Sequence, residues 1–186
     1  MLNEQLPSRS KRILSYTIAF LTTVYPLHPA WGAAMTAADK NTQISQQNNV
    51  PIINIATPNG SGISHNKFQD FNVDKQGAVL NNATTTVNSQ IAGQINANAN
   101  LKGKSANLII NEVTGSSRSE LQGKLEVAGK SANVLIANPN GITCNGCSFV
   151  NTPAITLTTG KPILDSKGAL SAVEVKKVTW LSVLMA

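Results

Sequence analysis

The chain has 186 residues, enough for one domain, with 41% hydrophobic and only 13% charged side chains. That composition excludes a disordered chain and is too weakly charged for a long coiled coil. The formal net charge of +6 overstates the basic character: beyond residue 34, twelve basic and eight acidic side chains are thinly spread with no Lys/Arg cluster between aromatics, so nucleic acid is not an expected partner.

In chain order, residues 1–34 read as a signal peptide. Arg9, Lys11 and Arg12 precede a mostly apolar zone from Ile13 to Leu27, which Pro26, Pro29 and Gly32 close before the small residues Ala33 and Ala34. The zone is about 15 residues, short of the roughly 20 that span a bilayer as a helix. The alternative, a buried N-terminal helix, does not account for the basic, apolar, small order. Export makes disulfides permissible. Residues 35–49 are polar and small and are expected to form a flexible leader.

Regular pattern starts at Val50. Strands are predicted over Val50–Ala56, Ala78–Leu80, Ala106–Val113, Lys124–Val127, Asn133–Ala137 and Ile155–Thr158, separated by Asn, Gly and Pro turn signals such as Pro58-Asn59-Gly60 and Asn138-Pro139-Asn140-Gly141. No segment sustains a helical period over three turns. The string Gly103-Lys104-Ser105-Ala106-Asn107-Leu108-Ile109-Ile110-Asn111 returns as Gly129-Lys130-Ser131-Ala132-Asn133-Val134-Leu135-Ile136-Ala137, at an offset of 26. A unit of that length cannot bury its own apolar face, so units must stack. Each coil then advances by about 4.8 Å, and roughly five or six coils fit the chain. Between residues 35 and 172 the only aromatics are Phe68, Phe71 and Phe149, which suits a thin core of Val, Ile, Leu and Ala. The predicted fold is all-β, a parallel β-helix in which asparagines at equivalent corners stack as ladders. A β-sandwich is the alternative, although its strands recur without repeated strings.

Cys144-Asn145-Gly146-Cys147 is the most chemically suggestive element, and a C-x-x-C is compatible with redox activity, half a zinc site or a local disulfide. Zinc needs about four ligands, and His65 is the only other histidine or cysteine beyond residue 34. Thioredoxin-type chemistry wants a βαβ setting, which the pattern lacks. In an exported chain the plain reading is a disulfide between Cys144 and Cys147. No nucleophile triad, phosphate loop or dinucleotide fingerprint is present, and the acids show no motif pairing, so no catalytic residue, metal or cofactor is expected.

Asn138-Pro139-Asn140-Gly141-Ile142 followed by Thr143-Cys144-Asn145-Gly146-Cys147 resembles the secretion domain of filamentous haemagglutinin-type exoproteins. Val50–Ala56, Gly62–Phe68 with Phe71-Asn72-Val73, and Ile110–Thr114 resemble further blocks of that family, so the likeness spans Val50 to Lys177. It implies a right-handed β-helix with small capping strands, at the head of adhesins, haemolysins and contact-dependent growth-inhibition toxins. It also implies passage through the periplasm of a Gram-negative bacterium to the cell surface or medium, with an outer-membrane β-barrel transporter as partner. By the same resemblance Asn138, Pro139, Asn140, Gly141 and Ile142 form one secretion motif and Asn98, Asn100 and Leu101 belong to a second. The family's second motif reads Asn-Pro-Asn-Leu, and here Ala99 stands in the proline position, giving up a pre-set φ of about −65°. Residues 50–177 are thus expected to form the secretion domain. The apolar run 178–186 breaks its texture, which points to a truncated or frame-shifted end. A rival reading makes the chain a short adhesin whose β-helix surface binds host cells; another makes it a remnant of a haemolysin or growth-inhibition toxin.

Overall fold

The computed structural model describes residues 35–175. The signal peptide expected at 1–34 and the apolar tail at 178–186 lie outside the described residues.

The apolar runs form strands because they lie in a sheet covered on both faces. Such strands read as near-continuous hydrophobic stretches instead of alternating ones; Ala78–Asn82 is buried at every position. In chain order the strands are β1 (Met35–Ala37), β2 (Gln43–Gln47), β3 (Val50–Asn54), β4 (Ile63–Phe71), β5 (Ala78–Asn82), β6 (Val87–Ser89), β7 (Gly93–Ile95), β8 (Leu108–Val113), β9 (Ser119–Leu121), β10 (Lys124–Gly129), β11 (Asn133–Ala137), β12 (Ile142–Cys144), β13 (Ser148–Val150), β14 (Ile155–Thr158), β15 (Lys161–Leu164) and β16 (Leu170–Glu174). The only helical element among the described residues is a single 3-10 turn, Ala99–Leu101.

The fold is all-β with mixed sheets. One ladder has the order β1-β4-β8-β11-β14 and a second β13-β10-β5-β3-β2. Within them β4, β8, β11 and β14 pair parallel, as do β3, β5, β10 and β13, while β1 and β2 add antiparallel edges. A narrow third ladder joins Val73 to Leu121 and β9 to β12, also parallel. The stack is therefore four parallel strands deep, fewer than the five or six coils expected. The difference went into two hairpins outside the ladders, β6–β7 and β15–β16, and into the edge strands. The segment expected as a flexible leader instead carries β1 and β2. Its glutamines and serine suit an edge strand, which has one side facing water.

The core between the ladders is thin. It is built from Ile53, Ile55, Leu80, Ile109, Leu125, Val127, Val134, Ile136 and similar residues, with Phe68 and Phe71 meeting edge to face at 4.8 Å. The outward faces carry apolar clusters too. The β6–β7 hairpin lays Val87, Ile91, Ala92 and Ile95 on Val50, Ile52, Val79 and Ala128. The buried Glu126 carboxylate holds this hairpin, accepting from the Ser89 hydroxyl at 2.8 Å and the Gln90 N–H at 3.0 Å. On the other ladder Leu164, Leu170 and Val173 of β15–β16 cover Ile63, Ile110, Leu135 and Ala137.

The duplicated string does mark successive coils, but its strand register is 25, not 26: Ile109 lies beside Val134 and Ile110 beside Leu135. A one-residue slip exchanges inward and outward rows. Both rows are apolar here because the hairpin covers the outer one, so hydrophobic pattern alone does not choose between the two registers.

Candidate functional site

Two corners of the stack repeat one hydrogen-bond plan. Gly141 N–H donates to the Asn138 carbonyl at 3.0 Å and Leu101 N–H to the Asn98 carbonyl at 3.2 Å, closing a four-residue turn in each case. Short polar side chains in such turns bond the backbone two residues on. Accordingly the Asn138 Oδ1 accepts Asn140 N–H at 2.9 Å, and the Asn98 Oδ1 accepts Asn100 N–H at 3.0 Å.

The amide nitrogens then reach back to earlier coils. Asn138 Nδ2 donates to the Ser117 carbonyl at 3.0 Å and Ser119 Oγ at 2.9 Å. Asn98 Nδ2 donates to the carbonyls of Ile55 at 3.0 Å and Asn81 at 2.9 Å. Asn140 Nδ2 reaches the Gly115 carbonyl at 2.8 Å, and Asn100 Nδ2 those of Asn41, Asn54 and Ile55 at 3.3 Å. Asn138 and Asn98 are buried at 0% and 3% exposure, so each is a staple inside the wall of the stack. Leu101 is buried in the core and Ile142 packs half-buried against it, while Pro139 faces solvent. Gly141 has φ +110°, a conformation that favours glycine.

A further corner has the same character and was not singled out from sequence. Asn151, in the left-handed region at φ 58°, donates from Nδ2 to the carbonyls of Val127 at 2.7 Å and Gly129 at 3.0 Å. It precedes Thr152-Pro153 where the motifs carry Asn-x-Asn, and it follows β13, a strand that the pattern did not predict, so the local sequence carried no signal for it. These corner asparagines thus bond mainly to backbone carbonyls of neighbouring coils; the amide-on-amide stacking expected occurs at Asn81, whose Nδ2 donates to Oδ1 of its register partner Asn54 at 2.8 Å.

Cys144 ends β12 and Cys147 precedes β13, so the two cysteines flank the corner between the third and second ladders. They are joined by a disulfide with Cα atoms 5.3 Å apart; Cys144 is exposed and Cys147 packs against the core.

On the outward face between the two motif corners, His65 Nε2 and Glu112 Oε2 are 2.7 Å apart. His65 lines a polar hollow of about 410 Å³ beside Asn100. Glu112 lines a groove of about 710 Å³ beside Pro139, Asn140 and Gly141. The hydrogen bond from His65 holds the Glu112 carboxyl below its ordinary 4.5; burial opposes this, and the charges of His65, Lys67 and Lys161 add to the lowering. The unfolded chain therefore binds this proton more readily than the folded one. The resulting stability is present above about pH 4.5 and is lost as pH falls through the lower folded value. Urea midpoints of the wild type are expected to fall on acidification through this range, and Glu112→Gln to flatten that part of the profile; an unchanged slope would count against the pair. Among the described residues no three His, Cys, Asp or Glu side chains are grouped to hold a metal ion.

Stacked parallel coils with paired asparagine corners define a domain type, and comparison with known proteins agrees with the motif resemblance. Residues 32–185 match the family model of the TPS secretion domain, and the chain belongs to that family, the secretion domains of two-partner-secretion exoproteins of Gram-negative bacteria. It is similar to a 16S rRNA endonuclease CdiA of Enterobacter cloacae (53% identity over 168 residues, 89% of this chain and 5% of that protein). It is likewise similar to a Toxin CdiA of Escherichia coli (55% over 166 residues, 88% and 5%) and a Hemolysin of Proteus mirabilis (50% over 115 residues, 62% and 7%). The crystal structure of a filamentous hemagglutinin secretion domain superposes with a TM-score of 0.68 at 48% identity, covering 73% of this chain and 45% of that one. The chain thus spans only 5 to 7% of the length of these curated relatives.

Proposed function

We propose that this chain acts as the export address of its exoprotein, read by a dedicated outer-membrane β-barrel transporter once a signal peptide has delivered it to the periplasm. The observation that carries the reading is the state of Asn138. Its side chain is fully enclosed, its oxygen accepts from Asn140 and its nitrogen is committed to Ser117 and Ser119. A transporter that reads this asparagine does so before the corner closes, on an extended segment able to add a strand to a sheet edge. Folding outside then proceeds coil on coil, each corner bonding back to the coil before it. A domain stability of about 5–15 kcal/mol is enough to bias that direction without ATP.

On this reading the coils wind right-handed, the usual hand of parallel crossovers. The Cys144–Cys147 ring stiffens one corner and is small enough to pass a narrow pore already closed. The domain itself has no catalytic role and takes no cofactor. The nuclease, toxin and hemolysin in the relatives' names belong to those proteins. Deleting the transporter gene is expected to reduce the protein in the medium to background; normal amounts in its absence would overturn the assignment. An adhesin role makes a separate demand, that the purified protein bind cells or glycans directly.

A further inference from the structure

The inward row of the first ladder carries asparagines on two successive coils, Asn66 on β4 and Asn111 on β8, paired in register. Both have 0% exposure. Asn66 is saturated: Oδ1 accepts the Ala56 N–H at 2.8 Å and the Thr42 hydroxyl at 3.1 Å, and Nδ2 donates to the Ile110 carbonyl at 3.1 Å and Ser64 Oγ at 3.2 Å. Among the described residues Asn111 has a hydrogen-bond partner at neither Oδ1 nor Nδ2. The residue beside it on the next coil is Ile136, and Ile109 and Val113 flank it in the same row, all within the apolar core. An asparagine ladder needs amide above amide. Here the amide on one side is spent on other groups and the other side is a hydrocarbon, so the Asn111 amide is stranded in the middle of the stack.

A buried polar group without a partner works against folding, and an apolar side chain of similar shape at the same place removes the penalty. β8 pairs with strands on both sides, so the penalty weakens the stack at its centre. Export through a pore, the reading proposed above on which this inference rests, requires that the chain not complete its fold in the periplasm. We propose that Asn111 tunes export: it keeps the stack weak enough for the chain to remain open until it has crossed the outer membrane, where each coil then folds onto the one before it.

The test uses the full chain co-expressed with its transporter. Asn111→Leu is close to asparagine in shape, Asn111→Val is smaller and suited to a strand, and Asn66→Val is the control from the same row. Purified protein is unfolded in urea; medium and periplasm are assayed for protease-resistant chain. At least the valine variant at 111 is expected to raise the folding equilibrium constant by about tenfold. Its export is expected to fall several-fold, with resistant protein held in the periplasm. Asn66→Val is expected to shift stability the opposite way, because it strands the groups that Asn66 now satisfies. Lower stability in both Asn111 variants overturns the proposal, as does higher stability with wild-type export. Wild-type export that continues without the transporter defeats the export reading itself, a result separable from either of these.

Discussion

Asn138→Ala is expected to destabilise the domain by about 3 kcal/mol, a large part of the ~5–15 kcal/mol that holds a domain together, and to reduce secretion severely. The truncation removes two donors, to the Ser117 carbonyl and Ser119 Oγ, and the acceptor for the Asn140 N–H. Ser119 is itself fully buried, so its hydroxyl loses a partner where water does not readily replace it. Asn98→Ala is expected to behave alike, since Asn98 ties Ile55 and Asn81 across two coils. Asn140→Ala should cost less, about 1 kcal/mol, because Asn140 is exposed and water can take over its bond to Gly115. Urea unfolding of the three variants ranks them. If Asn138→Ala and Asn140→Ala lose the same small amount, the buried asparagine is not the staple described.

Gly129→Ala is expected to damage the fold far more than Gly103→Ala, although the two glycines open the same repeated string. Both have positive φ, +81° and +82°, so either alanine meets a backbone penalty of about 1–2 kcal/mol. At Gly103 nothing lies within 4 Å of the added carbon. At Gly129 it would meet Ala83 Cα at 2.5 Å and its backbone nitrogen at 2.9 Å. Ala83 has little room to retreat, for it is buried and its carbonyl accepts the Asn98 N–H. Overpacking of this kind adds roughly 1–3 kcal/mol. Thermal or urea midpoints measure the gap; equal losses at the two glycines would mean that the coils shift to absorb the contact.

The strands that overlap the predicted runs, β3, β5, β8, β10, β11 and β14, each carry at least two apolar side chains in one row, even where the other row is polar, as at Glu126 of β10 and Thr156 of β14. The longest strand, Ile63–Phe71, was not among them. It places Ser64 and Asn66 on its inward row and His65 and Lys67 on its outward row, so no hydrophobic period is visible. Those polar groups are affordable only because the end of the stack supplies partners, Ala56 and Thr42 among them. The hairpins escaped detection for a related reason. Val87, Ile91 and Ile95 are too sparse to announce strands, and they matter only against the outer row they cover.

The amino-acid order alone determined that short strands recur at a near-constant spacing, that tight turns separate them, and that the turn chemistry of Asn138-Pro139-Asn140-Gly141 and Asn98-Ala99-Asn100-Leu101 is shared. These are local properties of backbone preference and side-chain size. Which of two identical glycines is crowded, which of two buried asparagines has partners, and whether a repeat pairs at 25 or 26 were decided only when the coils came together. Each depends on groups from another coil, brought within a few ångströms by stacking, and nothing in the local sequence encodes that neighbour.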